Sequence, residues 1–329
     1  MKKIYGNKYL LSALASMMKN DKAAHTVIFY GEKGSGRKLM ADHYARSLVC
    51  TELHDGSPCG ECAACRNAEK HTHPDIMYVE TSGKLGGYSV ETAKGICTDA
   101  YIKPNNHSGR KVYIFRDCHK MDPRTQNTLL KIVEEPPDFT YFIFTAESKS
   151  DFLSTIISRS LCFALSPCSE AEARTALAES GFGNSDINGA IDCFHGNIGM
   201  CRQYIEDAEL RKRISVIREL ADSIVKFDEY SLNRALFSIC RERADIKTVL
   251  RLIDDLIRDA AVYQNDENAQ LIGCCRESAV SLAELITPYR AAGIHNRIEK
   301  AWSAIEANVS APLVLAALCS EMIGIAAGR

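Results

Sequence analysis

The sequence predicts a parallel α/β domain followed by a wholly helical remainder. Three observations carry that expectation. A short β-prone run, Thr26-Val27-Ile28-Phe29-Tyr30, stops at Gly31 and leads through a Gly-rich turn into a helical pattern. Further apolar runs alternate with helical patterns up to about Leu165, the signature of right-handed crossovers over a buried parallel sheet. Beyond that point strand-like runs disappear.

The elements follow in order. Over residues 1–22, Leu10, Leu11, Leu14, Met17 and Met18 recur at helical spacing and predict a helix. After the first strand a helix is expected from Lys38 to Val49, then a strand at Ile76-Met77-Tyr78-Val79. A helix from Ser89 to Ala100 and a strand from Lys111 to Phe115 come next. Pro123 to Glu135 is helical and is stopped by Pro136-Pro137, and Tyr141 to Thr145 is the fourth strand. Three short helices follow, at Ser169–Glu179, Asn184–Phe194 and Gly199–Ala208. From Glu209 onward the periodicity is helical, with turns near Asp266, Pro288 and Gly293. The expected domains are 1–166, 167–208 and 209–329.

At 329 residues, 46% apolar and 25% charged, the chain is read as globular rather than disordered or collagen-like. Forty basic against 42 acidic residues give a formal charge of −2. A protein that grips nucleic acid by charge alone is more basic than this, so any such role rests on a local patch or on partners. The start has no continuous apolar core of the signal-peptide kind. The most apolar stretch, Ala311–Leu318 and Met322–Ala327, is interrupted by Ser320 and Glu321 and is too short to span a bilayer. A cytoplasmic protein is expected. Leu313, Leu315, Leu318, Met322 and Ile325 form a stripe suited to helix packing.

Two motifs concern phosphate and metal. Gly31-Glu32-Lys33-Gly34-Ser35-Gly36-Arg37-Lys38 occupies the strand-to-helix turn where a P-loop reads G-x-x-x-x-G-K-[ST]. The glycines Gly31 and Gly36 are in place, with Gly34 between them, so backbone N–H groups can face phosphates. Arg37 stands at the lysine position and Lys38 at the hydroxyl position that would hold Mg²⁺. The strand Lys111–Phe115, where a Walker B strand would end in Asp, continues with Arg116-Asp117. Both losses remove metal-binding groups, so hydrolysis of ATP is not expected. An ordinary turn that never meets nucleotide is the alternative.

Fourteen cysteines are many for a cytoplasmic chain. Ten, among them Cys118, Cys193, Cys240 and Cys275, are scattered and read as reduced residues in mostly apolar surroundings. The other four, Cys50-x8-Cys59-x2-Cys62-x2-Cys65, fit a closed tetrahedral Zn²⁺ site. An iron–sulfur cluster is the next candidate and free thiols the plain alternative. Gly56, Pro58 and Gly60 tighten the loop, and His54, His71 and His73 are read as solvated loop residues. No Ser/His/Asp or Cys/His nucleophilic set is apparent.

The order of these motifs, with Asn127-Thr128-Leu129-Leu130-Lys131, Glu134-Glu135-Pro136-Pro137 and Ser158-Arg159-Ser160, resembles bacterial clamp-loader subunits of the AAA+ class. The resemblance covers residues 1 to about 205 well and the remainder loosely. The broken P-loop and Walker B resemble the delta-prime branch of DNA polymerase III rather than its ATP-hydrolysing gamma/tau branch. That resemblance implies an AAA+ core with a zinc knuckle, a three-helix lid and an all-α collar. It implies a stator that, with gamma/tau and delta subunits, loads a sliding clamp onto primed DNA.

Arg159 matches the family's Ser-Arg-Cys arginine, which enters the neighbouring subunit's ATP site; Ser160 departs from the usual Cys. Thr145 falls at the sensor 1 place. Gly199, last in Gly196-Asn197-Ile198-Gly199, falls where an active ATPase carries its sensor 2 arginine, and Arg202 lies one turn further on. The alternatives are an active gamma/tau-like ATPase, a nucleotide-binding regulator without hydrolysis, and a zinc-dependent binding module outside replication.

Overall fold

The computed structural model describes residues 3–81, 87–239, 243–267, 269 and 271–328. The chain divides into two compact units. The first holds Met1–Ala173 with Asn197–Gly199, and the second holds Arg174–Gly196 with Met200–Arg329.

The first unit runs α1 (Lys8–Lys19), β1 (Thr26–Tyr30), α2 (Arg37–Val49), α3 (Ala63–Glu69), β2 (Ile76–Val79), α4 (Val90–Asp99), β3 (Lys111–Phe115), α5 (Pro123–Glu134), β4 (Thr140–Ala146), α6 (Ser154–Ile157) and β5 (Leu161–Ala164). The five strands form one wholly parallel sheet in the order β2-β3-β4-β1-β5. Alternate residues of each strand bury into separate cores, as period-two side chains require. Val27 and Phe29 pack with Leu14, Met40, Tyr44 and Leu48 of α1 and α2 on one face. Ile28, Phe142 and Phe144 pack with Ile96, Leu129 and Ile132 of α4 and α5 on the other. Covering both faces explains why these strands read as continuous apolar runs.

All four expected strands are present, and the sheet adds a fifth, β5. Its residues Leu161–Ala164 are exposed or half-buried, so the edge strand carries no apolar alternation to announce it. The helix expected over 1–22 spans Lys8–Lys19. The segment after α2 also contains α3, whose first turn is capped by Cys62.

The second unit is helical. It comprises most of α7 (Glu170–Glu179), then α8 (Asn184–Phe194), the body of α9 (Ile198–Glu206), α10 (Ala208–Val225), α11 (Glu229–Ile239), α12 (Arg243–Asn265), α13 (Arg276–Ala283), α14 (Pro288–Glu306) and α15 (Ala311–Ala326). One apolar core links α8 to these later helices. The turn expected near Gly293 is absent: α14 runs straight through it. A Cβ there would lie 3.4 Å from Ile325 of α15, an ordinary van der Waals distance. Cys240 lies outside the described residues. Among the described residues, no helix is long and apolar enough to cross a membrane.

Candidate functional site

The Gly-rich turn lies at the carboxyl ends of β1, β3 and β4, the edge where open parallel sheets offer a crevice. Gly34 and Gly36 have φ of 87° and 91°, left-handed values that favour glycine. Gly36 immediately precedes α2, so the helix N-terminus opens where the loop ends.

Arg37 is the first residue of α2 and is only 6% exposed. Its Nη2 faces Glu147 at 3.8 Å and Asp117 at 4.0 Å. Its Nη1 is buried without a hydrogen-bond partner. Lys38 Nζ sits 2.5 Å from Asp117 Oδ2. Asp117 follows β3, two residues past its end, in a left-handed conformation with φ 55°. Thr145 of β4 holds that turn, its Oγ1 accepting the Asp117 N–H at 3.0 Å. Thus an ammonium group occupies the space between the hydroxyl position of the loop and the acidic end of β3, where a working site brings Mg²⁺. Arg116 turns to the other side, pairing with Asp42 at 2.6 Å and covering the Tyr78 ring.

The Asn197–Gly199 segment, part of the same unit, meets this loop directly. Asn197 Nδ2 donates to Lys33 O at 2.9 Å and the Gly199 N–H donates to Gly34 O at 3.2 Å. A Cβ on Gly199 would lie 2.5 Å from Gly34 Cα. The position expected to show a missing arginine is therefore one where no side chain fits at all. Arg202 donates to Ser180 Oγ at 2.6 Å and stacks on Phe182.

Arg159 stands between α6 and β5, with about a third of its side chain exposed. It donates to Glu134 Oε1 at 2.8 Å, Thr155 O at 3.1 Å and Ser158 Oγ at 3.2 Å. Sheet register fixes where it stands. Leu161 pairs beside Val27 at the start of β1, whereas the Gly loop begins after Tyr30 at its end. Strands rise about 3.3 Å per residue, so Arg159 and the loop occupy opposite edges of the sheet, more than roughly 10 Å apart.

The four cysteines converge. Cys50 ends α2, Cys59 and Cys62 lie on the intervening loop, and Cys65 opens α3. Their sulfurs all lie within 4.8 Å of one another. Sγ separations are 3.6 Å for Cys50–Cys59, 4.0 Å for Cys50–Cys62 and 3.9 Å for Cys59–Cys65. Four sulfurs each 2.3 Å from a tetrahedral centre lie about 3.8 Å apart, so the spacing suits a four-coordinate thiolate site. Backbone N–H groups of Cys59, Glu61, Cys62 and Cys65 donate to sulfurs of the set at 3.3–3.4 Å, the support ligating thiolates need. Burial pushes the Cys50 and Cys65 thiols up. At Cys62 burial is outweighed by hydrogen bonds from Thr51 and Cys65, which hold it at about 6.

Gly56 explains the tight loop. Its φ is +84°, and a Cβ there would lie 1.9 Å from Ala15 O of α1. The neighbouring histidines contribute no ligand atom to the cluster. His73, expected to be solvated, is buried, and its Nδ1 accepts the Asp75 N–H at 3.2 Å.

Sequence reading placed the Gly loop, the cysteines and Arg159. It named Asp117 and Glu134 within motifs without pairing them with Lys38 and Arg159, and it did not reach Glu147, because each partner lies far along the chain from its cation.

Residues 6–169, nearly all of the α/β unit, match the family described as DNA polymerase III, delta subunit. The tau/gamma subunit of Haemophilus influenzae DNA polymerase III is 29% identical over 176 residues, covering 53% of this chain and 25% of that protein. The delta' subunit of Pseudomonas aeruginosa DNA polymerase III is 31% identical over 136 residues, covering 41% of each. The chain thus spans less than half the length of these curated relatives. The DNA clamp loader delta protein of Bacillus subtilis aligns over 94% of this chain and 98% of its own, at 12% identity and a TM-score of 0.41.

Proposed function

We propose that the chain is a clamp-loader subunit of DNA polymerase III, of the AAA+ class, and that among these subunits it plays the delta-prime role. It is then a cytoplasmic, non-hydrolysing stator beside an ATP-binding gamma/tau subunit, assembled with delta. Through that complex it acts on the sliding clamp and primed DNA during replication.

The observation that carries this reading is the Lys38–Asp117 pair. Hydrolysis in P-loop enzymes needs Mg²⁺ held by a loop hydroxyl and a strand-end acid. Here the hydroxyl is replaced by a cation, and that cation engages the acid. A second cation, Arg37, fills the lysine place and faces the same carboxylate. The close contact of Gly199 with Gly34 removes room for a third catalytic cation.

Arg159 is then the group this subunit contributes. Its guanidinium stays charged and planar, suited to a transferring γ-phosphoryl group. Standing at the far edge of the sheet from its own Gly loop, it serves a neighbour's nucleotide rather than one bound here. Cys50, Cys59, Cys62 and Cys65 hold a structural Zn²⁺ that leaves no open coordination position. The helices over 167–208 form the lid and those over 209–329 the collar that associates with partner subunits.

The test is ATPase activity of the complex rebuilt with the same organism's gamma/tau and delta subunits, clamp and primed DNA. Arg159→Ala should lower turnover strongly, up to the roughly 10³–10⁵ range of trans arginines, with assembly intact by gel filtration. Mg²⁺-dependent turnover by the isolated wild-type chain would replace this reading with a gamma/tau-like ATPase. Unchanged turnover in Arg159→Ala would leave only a scaffold.

A further inference from the structure

The second unit contains a thiol cluster that the clamp-loader reading does not use. Cys193 lies near the end of α8, and Cys274 and Cys275 form the turn into α13. All three are buried, at 0%, 2% and 3% exposure. Arg218 of α10 reaches them from the surface. Its Nε donates to Cys275 Sγ at 3.3 Å and its Nη2 to Cys193 Sγ at 3.4 Å.

Those two nitrogens share one edge of the planar guanidinium, so one fork holds two sulfurs side by side. Cys275 is the N-cap of α13 in a left-handed conformation, φ 83°, and its side chain makes no capping hydrogen bond to that helix. Donation from the Cys193 and Cys274 thiols and from Arg218 holds the Cys275 thiol far below the ordinary range, while Cys193 is pushed up. One cation facing two sulfurs favours a single negative charge on the pair, a thiolate beside a protonated thiol.

We propose that Cys193 and Cys275 are a peroxide-responsive thiol pair that closes into a reversible disulfide, with Arg218 as both counter-ion and gate. An arginine side chain on the surface covers the pair, so a rotamer change at Arg218 admits a small hydroperoxide. The Cys275 thiolate attacks one peroxide oxygen and the O–O bond breaks. The leaving oxygen takes a proton and departs as water or alcohol, leaving Cys275 as a sulfenic acid. Cys193 then gives up its proton as its sulfur displaces hydroxide, the two leave as water, and the S–S bond forms. Two electrons pass from the pair to the peroxide, and an added dithiol reverses the change. The bond ties α8 to the start of α13.

The pair is remote from the Gly loop, the four-cysteine cluster and Arg159 in sequence, so the test needs no partner subunits. The full-length zinc-loaded chain is exposed to limiting hydrogen peroxide, blocked with a maleimide, digested and analysed by mass spectrometry. A Cys193–Cys275 cross-linked peptide should appear before the buried Cys118, whose thiol donates to Phe115 O at 3.4 Å, is oxidised, and dithiothreitol should remove it. Cys193→Ser should stop the reaction at a Cys275 sulfenic acid trapped by dimedone. Arg218→Met should shift the pH profile of the reaction upward, because the cation that favours the Cys275 thiolate is gone. Oxidation of Cys275 no sooner than Cys118, a cross-link seen only after unfolding in urea, or an unchanged pH profile in Arg218→Met would each overturn the proposal. Should Cys193→Ser not fold by circular dichroism, the wild-type and Arg218→Met pH profiles still decide it.

Discussion

Gly199→Ala isolates the contact between the Asn197–Gly199 segment and the Gly loop. The new Cβ would meet Gly34 Cα at 2.5 Å, Gly34 O at 2.6 Å and Gly34 C at 3.0 Å. All three are backbone atoms, so no rotamer change relieves the overlap. Either the loop or the start of α9 shifts by about 1 Å, enough to restore ordinary van der Waals distance. Such overpacking costs roughly 1–3 kcal/mol. The shift also loosens Gly199 N–H to Gly34 O, at 3.2 Å, and Asn197 to Lys33 O, at 2.9 Å, worth about 1 kcal/mol each. Alanine's better helix propensity returns up to about 1 kcal/mol. The net expectation is a loss of roughly 2–3 kcal/mol, a fall of about 4–12 °C in the melting temperature of a unit this size. Scanning calorimetry of the full-length chain measures it. Gly324→Ala is the matched control, because a Cβ there meets nothing within 4 Å. A Gly199→Ala melting temperature equal to wild type would refute the claim that this glycine exists for close approach.

The other expectations concern metal and pH. Purified chain should carry one zinc by elemental analysis, and Cys65→Ser should lose it together with the tight fold of the 50–65 loop. Gly56→Ala should weaken zinc retention against a chelator, because its Cβ would strike Ala15 O at 1.9 Å in a left-handed conformation; unchanged retention would break the link between α1 and the knuckle. Asp255 of α12 is raised to about 6, first by burial and then by the neighbouring Asp254 and Asp259. A raised folded pKa means stability that is full below the unfolded value near 3.9 and lost as pH rises through about 6. Asp255→Asn should therefore be more stable than wild type above pH 7, on the order of 1–2 kcal/mol, with the difference closing below about pH 4 in urea titrations.

What could be read from the sequence follows from how local each cause is. Val27-Ile28-Phe29 announces β1 because the strand is buried on both faces, and the glycines announce their turn because only they adopt its dihedral angles. The four cysteines are legible because three of them sit at metal-ligand spacing on one short loop. Leu161–Ala164 was silent because an edge strand beside β1 needs little burial. Gly199 was legible only in part. As text it reads as an arginine absent, and in space it is a backbone pressed on another backbone. The Cys193–Arg218–Cys275 fork was invisible because its three members lie on α8, α10 and the turn before α13, joined only by packing.

The replaced positions around the Gly loop are coupled, and that coupling bears on whether such a loop could regain hydrolysis. Substituting Lys38 by Thr would restore a hydroxyl but strip Asp117 of its 2.5 Å partner, leaving it to Arg37 at 4.0 Å. Substituting Arg37 by Lys would shorten a side chain that also faces Glu147 and is almost wholly buried. Returning an arginine at position 199 would drive a Cβ into Gly34 before its guanidinium reached anything. Neighbouring substitutions that share partners do not add, so each single reversal meets a cost set by the others still in place. A triple reversal must therefore also move Gly34 and the start of α9. On the delta-prime reading, the loop's present residues are a self-consistent structural unit: its cations satisfy its own acids, and its glycines admit close backbone contact. Arg159, at the opposite edge of the sheet, is left free of that network and can be tested without disturbing it.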